Sequence, residues 1–155
     1  MSYQVTGMDA AARPTAVVAA TTTWREYPTL WGKLLDEVWT CLRANGIQRG
    51  CRNVMVYRDL TGSDGVPQVA VEVGVELNQP CPLTGRVVSS ALPAGPVAMT
   101  VHHGPYEGIG DAHQAVRDWC TAQGRQPAGP RWEIYGPHRD DPAELWTEIT
   151  WLLTS

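Results

Sequence analysis

The residues best equipped for chemistry sit near the C-terminal end of the chain. Glu133 and Tyr135 alternate with Trp132 and Ile134, and Trp146, Glu148 and Trp151 follow in a second apolar run. Side chains on a strand alternate between faces, so Glu133 and Tyr135 share one face and Trp132 and Ile134 the other. A carboxylate beside tyrosine and tryptophan has two uses. It can neutralise a lipophilic cation whose flat rings stack on aromatic walls. Partly buried, it can instead position or deprotonate a water molecule. A solvent-facing sheet whose acids simply keep it soluble accounts for the spacing equally well.

Alternation assigns Trp132 and Ile134 to a helix-covered core and turns Glu133 and Tyr135 toward a groove. In the first half it assigns Val54 and Val56 to the core and Met55 and Tyr57 to the groove. Trp146, Glu148, Thr150 and Leu152 make one row of the last strand, with Thr147, Ile149, Trp151 and Leu153 opposite. Both rows are mixed; Trp146 and Glu148 are counted toward the groove. Adjacent His102 and His103 point to opposite faces of a strand and cannot share a metal, while His113 belongs to a helix and His138 to a loop. No metal and no cofactor is expected. There is no Gly-x-Ser-x-Gly elbow and no phosphate-cradling glycine loop.

Elements that could position these residues follow from periodicity. Thr15 to Thr23 is a β-branched run and reads as a strand. Tyr27, Trp31, Leu34, Leu35, Val38 and Leu42 recur at helical steps, ending near Asn45-Gly46. Strands are expected over Asn53 to Leu60 and Gln68 to Leu77, joined by the turn Thr61-Gly62-Ser63-Asp64-Gly65. The order then recurs: a strand from Pro96 to His103, a helix carrying Ile109, Ala112, Val116, Trp119 and Cys120 up to Gly124, and strands at Arg131 to Gly136 and Leu145 to Leu153. Gly85 to Leu92 adds a strand between the halves. The expected fold is α+β: a duplicated strand-helix-strand-strand module, an antiparallel sheet with two helices on one face and a ligand groove on the other. Met1 to Arg13 reads as a flexible lead-in, followed by one domain whose repeats span about 14–78 and 85–155.

Composition narrows the function classes. The 155 residues carry a formal charge of -4, seven tryptophans, five tyrosines and no phenylalanine. Lys33 is the only lysine and no basic cluster appears, which argues against a nucleic-acid face. No run approaches the ~20 apolar residues of a membrane span, and the N-terminus does not read as a secretory signal. Cys41, Cys51, Cys81 and Cys120 form no CxxC pair and read as reduced thiols. The cytoplasm is the expected compartment.

Four motifs occur in order: Pro93-Ala94-Gly95-Pro96-Val97-Ala98, His103-Gly104-Pro105-Tyr106-Glu107, Trp132-Glu133-Ile134-Tyr135 and Thr147-Glu148-Ile149. The series resembles the GyrI-like small-molecule-binding family, which also supplies effector-binding domains to AraC-type and MerR-type regulators. The clearest motifs cover Pro93 to Leu153; the first half matches mainly by pattern. The resemblance implies a ligand held between the halves. It maps the acid at the groove's base onto Glu133, the glutamate of the Thr-Glu-Ile motif onto Glu148 and a pocket-lining position onto Tyr106. Trp39 joins this set from its place at the edge of the first helix's apolar stripe. The repeats occupy nearly everything after Arg13, so no DNA-reading helix-turn-helix and no direct nucleic-acid partner is expected.

Three functions follow as expectations. The first is a binder of lipophilic, aromatic or cationic small molecules. The second, implied by a stand-alone branch that resembles hydrolases opening the cyclopropane of DNA-alkylating natural products, makes Glu133 and Tyr135 catalytic: the acid places a water while Tyr135 or Tyr106 donates to the conjugated carbonyl. The third is a protein-interaction module like the gyrase-inhibitory relatives, with a protein as its partner.

Overall fold

The computed structural model describes residues 3–48, 51–60 and 65–155. In chain order these form β1 (Thr6–Ala10), β2 (Arg13–Thr22), α1 (Tyr27–Ala44), β3 (Asn53–Leu60), β4 (Gln68–Glu76), β5 (Val88–Leu92), β6 (Gly95–His103), α2 (Ile109–Gln123), β7 (Pro127–Tyr135) and β8 (Trp146–Leu153). Single turns of 3-10 helix lie at Tyr106–Gly108 and Pro142–Glu144. The fold is α+β. The turn expected at Thr61-Gly62-Ser63-Asp64-Gly65 lies, up to Asp64, outside the described residues.

The chain divides into two units, Arg13–Leu92 and Pro93–Ser155, the latter completed by the N-terminal segment up to Ala12. The first unit's strands run in the order β3-β4-β2-β5 and the second's in the order β7-β8-β6-β1, with antiparallel pairing within each. Counted from the start of each module, both orders are the same: second strand, third strand, first strand, then an added edge strand. The duplication therefore extends to hydrogen-bonded topology, beyond the element order alone.

Each helix forms because its apolar residues return every three or four positions and can be buried on one side. α1 buries Tyr27, Leu34, Val38, Cys41 and Leu42, and it packs on β2 and β4. Trp31, expected in that stripe, is 40% exposed. The helix stops at Asn45, whose side-chain amide donates to the Cys41 carbonyl at 2.9 Å. α2 buries Ile109, Ala112, Val116 and Cys120 against β6 and β8. It ends on Gly124, which takes the left-handed conformation (φ 66°) that glycine adopts without steric cost.

The reading of residues up to Arg13 as a flexible lead-in is corrected by β1, which pairs with β6 from Thr6↔Met99 to Ala10↔Gly95. The segment is anchored by its own side chains. Tyr3 and Val5 pack against the cluster beneath α2, and the Thr100 hydroxyl donates to the Gln4 carbonyl at 2.8 Å. Gly7 makes room for Trp119, since a Cβ there would lie 2.8 Å from the indole.

A second correction concerns β3. Directly paired residues share a face, and the registers Met55↔Val73 and Tyr57↔Val71 place Met55 and Tyr57 with the core valines under α1. The Tyr27 hydroxyl donates to Met55 Sδ at 2.8 Å, tying helix to strand. Val54, fully buried, points to the other face, and Val56 is half-buried. Both faces of this strand lose water, so hydropathy alternation carries no sign that distinguishes them.

Candidate functional site

β7 and β8 bring the second unit's chemistry together. The pairs Arg131↔Trp151, Glu133↔Ile149 and Tyr135↔Thr147 put Glu133 and Tyr135 on the face that carries Ile149 and Trp151. That face is covered by Ile109, Ala112, Val116 and Cys120 of α2. Glu133 and Tyr135 thus lie on the helix-bearing side, opposite to the expectation from alternation. Trp132 and Ile134, 3% and 1% exposed, are buried on the other side. The cause is again burial of both faces, and the helix supplies the acid with a polar partner.

Glu133 is 6% exposed. Its Oε2 lies 2.7 Å from His113 Nε2 on α2, and its Oε1 accepts a short hydrogen bond from the Tyr135 hydroxyl. The indole N–H of Trp151 donates to His113 Nδ1 at 2.9 Å. Two guanidinium groups stand over that indole, Arg117 at 5.5 Å and Arg131 at 5.2 Å from the ring centroid. Tyr106 meets Tyr135 edge to face, with ring centroids 5.7 Å apart. Its loop is set by buried His102, whose Nε2 lies 2.7 Å from the Pro105 carbonyl and whose ring leaves no space for a Cβ on Gly108. His102 Nδ1 is 2.8 Å from the Tyr3 hydroxyl.

The remaining expected residues are distributed more widely. Trp146 and Glu148 occupy the opposite row of β8, paired with His103 and Val101, so the sheet separates them from Glu133. The Trp146 ring covers Gly136, where a Cβ would come within 2.3 Å of it. In the first unit, Met55 and Tyr57 join Tyr27 and Trp24: ring centroids are 5.1 Å apart for Trp24–Tyr57 and 5.5 Å for Tyr27–Tyr57. Trp24 is 44% exposed, so this aromatic group reaches the surface. Trp39 lies twelve residues along α1 from Tyr27, about 18 Å at 1.5 Å per residue. There its indole donates to Asn53 Oδ1 at 2.8 Å, and Arg43 stands 5.7 Å from its ring. It does not belong to the Tyr27 group.

His113, Trp151, Trp24 and Tyr27 were missed as site residues. For His113 a signal exists in the sequence: it falls four residues after Ile109 and three before Val116, a polar position on the stripe that faces the sheet. Among the described residues, no group of three or more His, Cys, Asp or Glu is placed to hold a metal ion, and no helix is long and apolar enough to cross a membrane.

The family model of the GyrI-like small-molecule-binding domain matches residues 4–153. The chain belongs to that family. No curated protein matches the sequence. Among solved structures, this GyrI-like chain is similar to the C-terminal domain of EcmrR, at 19% identity and a TM-score of 0.72 over 100% of this chain and 99% of that one. It is also similar to EcmrR in a complex with DNA, at 17% identity and a TM-score of 0.70, covering 99% of this chain but only 58% of EcmrR. SAV2435 bound to tetraphenylphosphonium matches at 15% identity and a TM-score of 0.64, over 100% of this chain and 95% of that one. At these identities the likeness is one of fold.

Proposed function

We propose that this GyrI-like domain binds lipophilic organic cations, with Glu133 supplying the countercharge and Tyr135 and Tyr106 the adjoining aromatic surface. The observation that carries the reading is a buried glutamate wrapped by hydrogen-bonding and aromatic side chains. Burying a carboxylate costs several kcal/mol unless partners compensate it. Here His113 and Tyr135 both reach its oxygens. A ligand cation adds charge attraction to the carboxylate, and the rings add cation–π attraction. Tyr106, 44% exposed, extends the aromatic surface to solvent. The structural likeness to a protein bound to tetraphenylphosphonium supports this class of ligand.

Tyr135 directs its hydroxyl proton at Glu133, so it is not set to donate to a substrate carbonyl, and binding without turnover is the better-supported reading. Titration of tetraphenylphosphonium into the wild type and into Glu133→Gln, followed by calorimetry, tests it. Loss of the charge should weaken binding by about tenfold or more, equivalent to at least about 1.4 kcal/mol, with the circular dichroism of the two proteins alike. Equal affinities would sink the countercharge role. Mass spectrometry after incubation should return a cyclopropanoid probe unchanged; addition of water to it would move the reading to hydrolysis.

A further inference from the structure

We infer that Cys41 and Cys81 form an oxidation site: a peroxide converts the two thiols into a disulfide that fastens the segment after β4 to α1. The pair lies wholly within the unit Arg13–Leu92 and is independent of the reading of Glu133. The two cysteines are far apart in the sequence, so no local motif marks them as partners.

The segment between β4 and β5 is held on the C-terminal half of α1. Asn45, where the helix stops, donates from its side-chain amide to the Cys41 carbonyl at 2.9 Å and to the Pro82 carbonyl at 3.2 Å. One helical turn before Cys41, Glu37 accepts from Arg86 Nε at 3.0 Å. Between these two ties the thiols converge. Cys41 Sγ lies 3.7 Å from the Pro82 carbonyl oxygen, and Cys81 Sγ lies 3.4 Å from the same oxygen. Pro80 and Pro82 flank Cys81, and their fixed φ angles narrow the backbone freedom around it. Cys51 turns to a different acceptor, Asn78 Oδ1 at 3.5 Å, and Cys120 belongs to the other unit.

Both thiols border depressions in the surface. Cys81 lines one of about 600 Å³ with Pro14, Leu77, Pro80 and Leu83, and Cys41 lines another of about 370 Å³ with Thr40 and Thr84. Cys81 is half-exposed and Cys41 buried, so an oxidant meets Cys81 first. Hydrogen peroxide transfers one oxygen to the Cys81 sulfur, giving a sulfenic acid and one water. The Cys41 sulfur then attacks the sulfenic sulfur: the S–S bond forms, the S–O bond breaks, and hydroxide leaves with the Cys41 proton as a second water. Two thiols are oxidised and one peroxide is reduced. Desolvation first, then neighbouring Cys41 and Cys51, raise the Cys81 thiol above its usual range, so negative charge is disfavoured here. A disulfide is neutral and occupies the same surroundings without that cost.

The test is oxidation of the intact native protein with hydrogen peroxide, followed by blocking of the remaining thiols and tryptic mapping without reductant. Cleavage after Lys33, Arg43, Arg52, Arg86 and Arg117 places the four cysteines on separate peptides. The expected product joins the Cys41 and Cys81 peptides, and dithiothreitol reverses it. Cys51→Ser should leave that bridge unchanged, and Cys81→Ser should leave Cys41 as a free thiol. Oxidation in urea is the control for folding: there the bridge should pass to Cys41 and Cys51, which close a much shorter loop. The oxidised native protein should also melt about 4 °C or more above the reduced one, since the bond cross-links distant parts of the chain. A native bridge from Cys51 to either thiol, a bridge between two molecules, or a Cys81 sulfinic acid beside a free Cys41 overturns the inference. So does survival of all four thiols, or a melting temperature that falls when the bridge forms.

Discussion

Burial acts unequally on the four cysteines, and their reactivity should follow. Cys120 is 2% exposed beneath α2, and desolvation pushes its thiol above the usual range, with only a partial offset from Arg125. Cys81 is half-exposed, but its thiol is also raised, first by desolvation and then by Cys41 and Cys51 nearby. The thiolate is the reacting form. In the native protein at neutral pH, Cys51 should therefore react with a disulfide reagent first and Cys120 at least about tenfold more slowly, until denaturant is added. Time-resolved labelling with peptide mass spectrometry checks this, and early labelling of Cys120 would contradict the burial argument. The same scale shows what sequence reading could reach at the site. Glu133 and Tyr135 were legible as an acid and a phenol on one face. His113 was visible only as a polar break in an apolar stripe, because its partner lies 20 residues away on another element.

At the scale of elements, the helices were the most legible features. Both run as their apolar stripes require, from Tyr27 to Ala44 and from Ile109 to Gln123, and both stop beside a glycine. Strand ends were less so. β7 begins at Pro127, four residues before the expected Arg131, since Pro127, Gly129 and Pro130 read as a break. The pairing accommodates them through a register shift between Pro127 and Arg131, with Gly129 at φ 127°. Gly74 is a stricter case. It pairs with Val17 near the C-terminal end of β4, and a Cβ there would lie 1.9 Å from the Ala16 carbonyl oxygen. Neither backbone can give way without opening the ladder. Gly74→Ala is expected to destabilise the protein by more than about 2 kcal/mol, read from urea unfolding. A change below about 0.5 kcal/mol would show that β2 stands further off than this.

For the molecule as a whole, the N-terminal segment completes a sheet formed by residues almost a hundred positions later. Tyr3 contacts His102 across that separation, and its phenol is raised above its ordinary value, chiefly by burial, with the charge of Asp111 adding. A raised folded value means the neutral phenol is the form that the fold favours. The contribution is complete below about pH 10, the ordinary tyrosine value, and is lost as pH rises through the folded value. Tyr3→Phe should cost about 1 kcal/mol at pH 7, and the gap to the wild type should close in urea titrations above pH 10. A gap that persists there would assign Tyr3 a packing role alone. By itself the sequence determined the α+β class, the helices, the repeat and the acid of the candidate site, because periodicity and motif order are local properties of the chain. Only the tertiary structure decided which face of each strand meets its helix, that β1 closes an edge, and that His113 and Trp151 hold Glu133. A period of two says which residues share a face; the docking of a helix chooses between the faces.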